Sequence, residues 1–302
     1  MRILITGGSG FIGKELTKSL LRKNHFITQL KHTALDTDFD NIVSEVEKSD
    51  AIINLAGFPI ISKWNEENRK LIYDSRINTT KLIVDAIEKA KVRPKVFVSA
   101  SAVGFYDGED KYDEDHTIPN NSFLGDVCSD WETTAMEASK NTRVVIYRFG
   151  TVLGRNGGII KKVRPIIKRS LMGIIPGSGK QYISWIHVLD VVNAVQFAMK
   201  NTKMEGVYNL VAPEATKSKK FWKALSKTLK RPCFLKIPES ILKLFMGESA
   251  IMLTQGQNVV PKRLNEAGFN YIFPDLKHAL QDTLKKGRKP KRGKRYKARP
   301  SE

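Results

Sequence analysis

Short apolar runs and longer amphipathic stretches alternate along this chain, and each kind of pattern predicts its own element. Apolar runs bounded by polar or turn-forming residues predict strands at 3–5, 26–30, 51–55, 95–99, 144–147 and 207–210. Apolar positions at helical spacing predict helices at 39–48, 65–91, 124–139, from Gly158 onward and at 188–199. Because each parallel strand pair needs a crossover, this alternation favours a parallel sheet. We predict an α/β fold, a Rossmann-type doubly wound parallel sheet.

The C-terminal part of the chain follows a different pattern, in which helices dominate. From about Glu214 onward, helical spacing recurs at 221–229, 241–246 and 276–284. We expect a cofactor domain over 1–215, whose segments from about residue 150 on face the substrate. A smaller, mainly helical domain over 216–284 would close the cleft, and a tail would follow over 285–302. The third strand usual for such sheets is expected to be short or lost.

A glycine-rich turn follows the first predicted strand and Thr6. It comprises Gly7, Gly8, Ser9, Gly10, Phe11, Ile12 and Gly13, and an amphipathic helix begins directly afterwards. Glycines at this spacing allow a tight turn, let backbone N–H groups approach a pyrophosphate, and let the helix pack closely on its strand. The N-terminus of the helix then faces the phosphates. The run therefore predicts a dinucleotide site formed by these seven residues.

The residues after the second strand bear on which dinucleotide is bound. An Asp or Glu about twenty residues past the glycines reads the ribose 2′-hydroxyl of NAD. Lys31 and His32 stand there instead. A cation at this place pairs with a 2′-phosphate, so the pattern favours NADP over NAD. The same two residues are also compatible with a simpler interpretation, in which they are solvated charges at the end of a strand and bind nothing.

Several ordered motifs resemble one group of proteins. The glycine spacing behind Thr6 is similar to that of the extended short-chain dehydrogenases/reductases. Further segments resemble the group's atypical, epimerase-like members, which are labelled NAD-dependent epimerase/dehydratase-like and sometimes SulA-like cell-division inhibitors: 54–57, 99–106, 148–154, 177–181 and 184–190. The segments 247–250, 255–257, 260–264 and 267–269 resemble the uncharacterised C-terminal domain of that group. The resemblance covers residues 1 to about 285, and it implies that Leu55, Ala56 and Gly57 lie on the adenosine side of the site.

The catalytic pair of that superfamily is absent. Its reductive chemistry uses a Tyr, a Lys four residues on, and a Ser or Thr that bonds the same substrate oxygen. None of the eight tyrosines has a Lys at that spacing. When Trp131 and Glu132 are set against the acidic end of the family helix, Leu124 stands at the Tyr position and Cys128 at the Lys position. The atypical group shares this departure, which argues against ordinary short-chain dehydrogenase catalysis.

Two serines and a tyrosine near the end of one strand are candidates for the missing chemistry. Ser99 and Ser101 end the strand whose carboxyl edge faces the nicotinamide in this fold, so we expect Ser99 to bind the cofactor and Ser101 to contact the substrate. Tyr106 lies in the following loop and is the best replacement acid. An aromatic residue that only packs over the site is the structural alternative.

Three further residues could handle protons. Cys128 and Glu132 are spaced i and i+4, so they share a helix face and would meet near the nicotinamide if that face lines the pocket. A buried, inert cysteine beside a packed Trp-Glu pair is the alternative. His187 titrates near neutrality, although a lone histidine among apolar residues is more often structural.

The function that these residues predict is redox chemistry on a small molecule. We expect an NADP-dependent oxidoreductase or epimerase-like enzyme with a non-standard proton donor, in which the nicotinamide exchanges hydride with a carbinol or carbonyl. A non-catalytic NADP-binding sensor or scaffold is the alternative. Arg148, at a strand end, meets either an anionic ligand such as the cofactor or an internal carboxylate, and the sequence leaves both open. No metal site is expected.

Charge adds a separate feature. The 302 residues carry a formal net charge of +20, and ten Lys or Arg lie between Lys285 and Arg299 with no acid among them. Such a segment cannot bury enough apolar surface to fold, so we expect a flexible tail. It would make nonspecific contact with a polyanion through counterion release, or only keep the protein soluble.

Other sequence features bear on location and assembly. No run approaches the roughly eighteen apolar residues of a membrane span, and the N-terminus predicts a strand rather than a cleavable signal. Cys128 and Cys233 offer neither metal spacing nor a disulfide framework. We therefore expect a cytoplasmic protein. Extended family members often pair through two long helices, so the resemblance implies a homodimer through 65–91 and 124–139.

Overall fold

The structure is a computed structural model, and it describes residues 1–30, 38–108 and 110–285. Lys31, His32 and the tail from residue 286 lie outside these residues. The chain divides into two compact units. Of the described residues, the first comprises those within Met1–Tyr106, Ile118–Arg148 and Val192–Tyr208, and the second those within Asp107–Thr117, Phe149–Val191 and Asn209–Glu302. The boundaries expected from sequence, after residues 215 and 284, stay predictions.

Strands and helices alternate through most of the described chain. The strands are β1 (Arg2–Thr6), β2 (Phe26–Leu30), β3 (Ala51–Asn54), β4 (Val96–Ala102), β5 (Lys111–Tyr112), β6 (Arg143–Phe149), β7 (Thr151–Leu153), β8 (Gly173–Pro176), β9 (Tyr182–Ile183), β10 (Trp185–His187), β11 (Gly206–Leu210), β12 (Thr216–Lys217), β13 (Cys233–Ile237) and β14 (Asn258–Val259). The helices are α1 (Phe11–Leu21), α2 (Phe39–Glu47), α3 (Glu66–Lys89), α4 (Phe123–Met136), α5 (Gly158–Arg169), α6 (Val188–Lys200), α7 (Ser218–Thr228), α8 (Glu239–Met246), α9 (Ile251–Thr254), α10 (Lys262–Glu266) and α11 (Leu276–Leu284).

A six-stranded parallel sheet confirms the predicted Rossmann-type fold. The strand order is β11-β6-β4-β3-β1-β2, so the chain starts at β1, moves outward to β2, and then crosses to β3 and continues in the opposite direction. The switch point therefore lies between β1 and β3, which is where open α/β sheets bind ligands. The register places Thr6 level with Asn54, at the carboxyl ends of β1 and β3, and Asn54 level with Ser99, which lies within β4.

Helices cover the sheet because strand residues on each face are apolar. One face buries Leu4, Ile52 and Phe97 in a cluster with residues of α2, α3 and α4, namely Ile42, Val46, Ile83, Ile87 and Ala135. Residues of the opposite pleat, Ile3 and Ile5, are also buried, as are Leu16 and Leu20 of α1. Nearly continuous burial of these strands is the pattern that a two-sided parallel sheet requires.

The predicted elements differ from the observed ones mainly at their ends. The strand expected at 95–99 continues to Ala102, and Ser101 lies near its end. The helix expected at 124–139 ends at Met136, and a 3-10 turn, Glu137–Lys140, takes over its last residues. No helix among the described residues is long and apolar enough to cross a membrane.

The second unit has short strand pairs and its own core. Parallel pairs join β7 to β10, β8 to β13 and β5 to β14, whereas β9 and β12 are antiparallel. Its core lies between α5, α7 and α11 and includes Ile160, Ile167, Phe221, Trp222 and Leu280. The helical character expected for the C-terminal part is confirmed by α7 to α11.

Two titratable groups are buried near the start of α6 in the second unit. His187 stacks its ring 4.1 Å from that of Phe273, and its Nδ1 accepts a hydrogen bond from the Leu189 N–H at 3.3 Å. Burial lowers the pKa of His187 to about 3. The carboxylate of Asp190 accepts N–H groups from Ile272 and Phe273, yet burial raises its pKa to about 6. His187 is placed here as a neutral, packed side chain.

We expect these two groups to affect stability with opposite signs between about pH 4 and pH 6. His187 takes up a proton near pH 6.5 in the unfolded chain but only near pH 3 in the folded protein. The stability that neutral His187 contributes to the fold is therefore lost as pH falls. Asp190 loses its proton near pH 3.8 in the unfolded chain but only near pH 6 in the folded protein. The stability that protonated Asp190 contributes to the fold is therefore lost as pH rises.

Urea unfolding of His187→Asn and Asp190→Asn across this range checks the signs. Relative to the unchanged protein, His187→Asn should become less stable as pH rises and Asp190→Asn more stable, each by up to about 1.4 kcal/mol per pH unit. If the unfolding free energies of all three proteins changed with pH in the same way, the proposed pKa shifts of His187 and Asp190 would be wrong.

Candidate functional site

The glycine run forms a tight turn whose first and last glycines are held by close backbone contacts. Gly7 has a φ of +68°, and a Cβ on it would lie 2.4 Å from the carbonyl oxygen of Leu55. A Cβ on Gly13 would lie 2.4 Å from the carbonyl oxygen of Gly7. A side chain at either position would clash with these carbonyl groups, and the backbone that carries them would have to move. These two glycines therefore set the turn and pack α1 on it.

Gly10 has a different environment, which fits a ligand. It is the N-cap of α1 and provides no side-chain cap, and among the described residues a Cβ there would meet only the Gly7 carbonyl oxygen, at 3.1 Å. The first N–H groups of a helix have no partner within the helix and carry a partial positive charge. Among the residues of its first turn none is acidic. A phosphate fits this end of α1 in both charge and space.

A hydrogen-bonded chain holds the carboxyl ends of β1 and β3 together. Thr6 Oγ1 donates to Asn54 Oδ1 at 2.6 Å, and Asn54 Nδ2 donates to Thr80 Oγ1 at 2.7 Å. Trp131 Nε1 donates to the same threonine oxygen at 2.8 Å. The Ala56 N–H donates to Asn54 Oδ1 at 3.3 Å, so this amide also orients the segment that follows β3. Sequence reasoning gave Asn54 no role of its own.

The segment after β3 is held by α3. A Cβ on Gly57 would lie 3.0 Å from the guanidinium carbon of Arg76. Arg76 Nη1 donates to the carbonyl oxygens of Ile72 at 2.8 Å and Phe58 at 3.2 Å, and burial lowers its pKa. Ser75 Oγ accepts the Phe58 N–H at 2.8 Å. The predicted adenosine-side residues 55–57 thus lie on a segment that two side chains of α3 fix.

An open groove beside the glycine run adds positive charge. It is lined by Gly8, Ser9, Lys14, Thr17, Lys18, Leu21, Arg22 and Gln29. Three of these side chains are basic and none is acidic. Lys14, Lys18 and Arg22 are spaced four residues apart, so the sequence itself indicates that they lie one helical turn from each other on one face. Lys31 and His32, the predicted readers of a 2′-phosphate, lie outside the described residues.

Four of the predicted residues meet in one buried cluster at the ends of β4 and β6. Ser101 Oγ donates to Glu132 Oε1 at 2.6 Å. Arg148 donates to both carboxylate oxygens of Glu132 at 2.7 Å, through Nε and Nη2. Its Nη1 donates to the hydroxyl oxygen of Tyr106, also at 2.7 Å. We call these four residues the Arg148 cluster.

Electrostatics and packing fix the Arg148 cluster. Burial alone would lower the pKa of Arg148, but its hydrogen bonds and charge attraction with Glu132, together with its contact to Tyr106, raise it. The guanidinium also lies 3.4 Å from the centroid of the Phe105 ring. Of the two partners that the sequence left open for Arg148, the structure shows the internal carboxylate. Contact between Arg148 and a cofactor stays a prediction.

Cys128 lies beside this cluster and is protonated. Burial and the nearby charge of Glu132 raise the pKa of its thiol to about 12. A thiol in that state is a poor nucleophile and a poor acid at neutral pH. Ser99 is fully buried, and its hydroxyl contacts the carbonyl oxygen of Ala100 at 3.4 Å. In the described chain, no group of three or more His, Cys, Asp and Glu is placed to hold a metal ion.

We expect the first unit to tolerate loss of the whole ion pair better than loss of one partner. Arg148→Met leaves the Glu132 carboxylate buried without a counter-charge, which costs about 3–5 kcal/mol of unfolding free energy. Arg148→Met combined with Glu132→Leu removes both charges and should recover most of that loss. Denaturant unfolding of the two variants measures the difference, with Lys70→Met as the control, because Lys70 pairs with Asp74 on the surface. A double variant no more stable than Arg148→Met would contradict the expectation.

Comparison with known proteins agrees with this geometry. The model of the NAD dependent epimerase/dehydratase family matches residues 3–210, and that of a domain of unknown function, DUF1731, matches residues 237–283. An epimerase family protein SDR39U1 homolog from Arabidopsis thaliana, named chloroplastic, is 38% identical over 93% of this chain and 86% of its own. The mouse epimerase family protein SDR39U1 is 36% identical over 94% of this chain and 100% of its own.

A solved structure of the same kind is also similar. The crystal structure of human epimerase family protein SDR39U1, isoform 2, with NADPH has a TM-score of 0.86 and 33% identity, and covers 94% of this chain and 99% of that one. The family resemblance expected from the motifs is therefore confirmed. The family model matches residues 3–210, which is more than half of this chain, and the relatives are more than 30% identical to it. This chain therefore belongs to the NAD dependent epimerase/dehydratase family.

Proposed function

We propose that this chain binds NADP(H) at the turn between β1 and α1 and acts as an epimerase-like oxidoreductase on a small molecule. The observation that carries the proposal is the open N-terminus of α1 at Gly10, between glycines whose backbone contacts admit no side chain. The similar human protein crystallised with NADPH supports NADP as the nucleotide. When bound, the nicotinamide supplies or accepts a hydride.

Each part of the nucleotide has residues suited to it. Backbone N–H groups of the run from Gly7 to Gly13 would hold the pyrophosphate. The segment 55–57 would lie against the adenosine side, and Ser99 against the ribose nearer the nicotinamide. Lys31 and His32 would pair with the 2′-phosphate, and the cations of α1 would raise the positive potential around it.

The Arg148 cluster can replace the missing Tyr-Lys pair. In the superfamily a lysine cation favours loss of the proton from a tyrosine hydroxyl. Here the guanidinium of Arg148 is hydrogen-bonded to Tyr106, and it stabilises the phenolate that remains when that tyrosine gives a proton to the substrate. Glu132 holds the guanidinium in place through two hydrogen bonds, and Ser101 would bond the same substrate oxygen.

Burial of this cluster favours a second candidate function. Tyr106 is 0% exposed and Ser101 2% exposed, so neither hydroxyl reaches solvent in this arrangement. A protein that binds the nucleotide but keeps its polar groups in a static network is a sensor or scaffold rather than a catalyst. The two candidates differ in whether hydride leaves the cofactor.

Cellular location and assembly stay predictions. We propose a cytoplasmic location, and one relative, from Arabidopsis thaliana, is named chloroplastic. Pairing of two copies through α3 and α4 is likewise an expectation from the family resemblance.

We expect NADPH to bind at least about tenfold more tightly than NADH, which is about 1.4 kcal/mol. Gly10→Leu should abolish binding of both, because its side chain fills the space for the phosphates. Lys31→Asp should weaken NADPH by about tenfold or more and leave NADH unchanged, whereas Lys91→Asp, an exposed lysine elsewhere, should change neither. Calorimetry measures all of these affinities, and equal values for NADPH and NADH in the unchanged protein would overturn the NADP preference.

Deuterium transfer separates the enzyme from the sensor. The protein is mixed with NADPH deuterated at the nicotinamide C4 and an extract of small molecules, and mass spectrometry follows deuterium into any product. Tyr106→Phe should slow transfer by about 100-fold or more, a loss typical of a missing general acid. Tyr147→Phe is the matched control, since that buried hydroxyl donates to the Ala194 carbonyl oxygen. Deuterium retained on NADPH by the unchanged protein would favour the sensor.

A further inference from the structure

The second unit exposes large apolar side chains on neighbouring elements. Leu171 is 61% exposed, Phe234 67%, Leu244 81% and Phe245 74%; Ile166, Leu235 and Ile241 are exposed as well. We call these seven residues the apolar ridge. Single exposed apolar residues are normal on a soluble protein, but a group on connected elements marks an interaction surface.

The pairing of β8 with β13 brings the parts of the ridge together. The Gly173 N–H donates to the Pro232 carbonyl oxygen at one end of the pair, and the Gly177 N–H donates to the Ile237 carbonyl oxygen at the other. Leu171 therefore lies near the start of β8, while Phe234 and Leu235 lie along β13. Helix α8 begins directly after β13 and Pro238.

Helix α8 has two apolar sides, of which one is packed. Leu242 is buried, whereas Ile241, Leu244 and Phe245 are exposed. Their spacing of three and four residues puts the exposed side chains on one face of the helix. In the part of the chain that the structure describes, no element covers this face.

Leu171 is also strained. Its φ is +59°, in the left-handed region that a bulky residue rarely adopts. Such a conformation is unfavourable for a residue with a side chain, and the exposed side chain gains no burial in return. The backbone at the turn between α5 and β8 thus holds an apolar side chain outward.

Basic residues outnumber acidic ones around the ridge. The segment 158–176 contains five Lys or Arg and no acid, and the segment 216–237 contains eight and no acid. Both segments belong to the same core, through Ile160 and Ile167 in the first and Phe221 and Trp222 in the second. Exposed cations also lie within two residues of the ridge at Lys168, Arg169 and Lys236, and at Lys243, which pairs with Glu239.

We propose that the apolar ridge and its flanking cations dock this protein on an anionic membrane surface. Exposed Leu, Ile and Phe side chains enter the boundary between headgroups and acyl chains, while nearby Lys and Arg attract anionic lipid. The exposed positions of these side chains suit insertion into a deformable lipid layer. The proposal is independent of the proposed redox function.

Charge and chemistry argue against two other occupants. In a symmetric dimer the same surface meets itself, so the basic segments of two copies would face each other and repel. Nucleic acid would satisfy the cations, but it offers base faces that stack on aromatic rings, whereas five of the seven ridge residues are aliphatic. Lipid satisfies both the cations and the aliphatic side chains.

Flotation of the full chain with vesicles tests the proposal. Binding to phosphatidylcholine vesicles containing phosphatidylglycerol should exceed binding to pure phosphatidylcholine by at least about tenfold at low salt. Leu244→Ser with Phe245→Ser should reduce the partition coefficient for anionic vesicles by about tenfold or more. Lys168→Glu with Arg169→Glu should reduce it by at least as much.

Matched changes in the first unit are the controls. Ile118→Ser removes a side chain that is 71% exposed, and Lys91→Glu with Arg93→Glu reverses two exposed cations. Neither should change vesicle binding, and circular dichroism should be the same for every variant. The proposal is overturned if the Leu244 and Phe245 changes leave vesicle binding intact, since charge alone, including that of the tail, would then account for it. It is also overturned if ridge variants abolish self-association or RNA binding instead.

Discussion

The hydrogen-bonded chain from Thr6 through Asn54 to Thr80 is the interaction on which the cofactor site depends. It joins the carboxyl ends of two neighbouring strands to α3 at the switch point of the sheet. The same amide oxygen orients Ala56, whose neighbour Leu55 supplies the carbonyl against which Gly7 is packed. Because these groups are buried, each must find a partner within the protein. The position of the glycine turn therefore follows from one buried amide.

The Arg148 cluster is a second buried network. The motif comparison expects Leu124 and Cys128 at the Tyr and Lys positions of the superfamily; the first is apolar and the second is protonated. The charged group lies one turn beyond Cys128 along α4, at Glu132. Its carboxylate binds an arginine from β6 rather than a lysine from its own helix. The cation thus comes from a different element, and the tyrosine it contacts comes from the turn after β4.

Local patterns in the sequence predicted the parts of this molecule that local physics determines. The glycine run, the alternating strands and helices, and the shared face of Cys128 and Glu132 depend on residues close in sequence. Side-chain partners distant in sequence were not predictable: nothing near Arg148 identifies Glu132 as its partner, and nothing near Asn54 identifies Thr80. The roles of Lys31 and His32 remain predictions, because these residues are outside the described chain.

The exposed ridge shows a different limit of sequence patterns. Ile241, Leu244 and Phe245 have the spacing of a helix that packs on a core, and the same spacing in Phe221 and Leu225 does mark buried residues. Periodicity records that a helix has an apolar face, but it does not record whether the fold covers that face. Only the arrangement of neighbouring elements shows that the apolar face of α7 is buried and that of α8 is exposed.

The Arg148 cluster also has a consequence for folding kinetics. Its charges come from α4 and β6, and each is costly to bury before the other arrives. We therefore expect the ion pair to form only after β4, α4 and β6 have docked. Interactions absent from the transition state act on the unfolding rate rather than the folding rate. This cluster would then slow the opening of the first unit and contribute to its kinetic persistence.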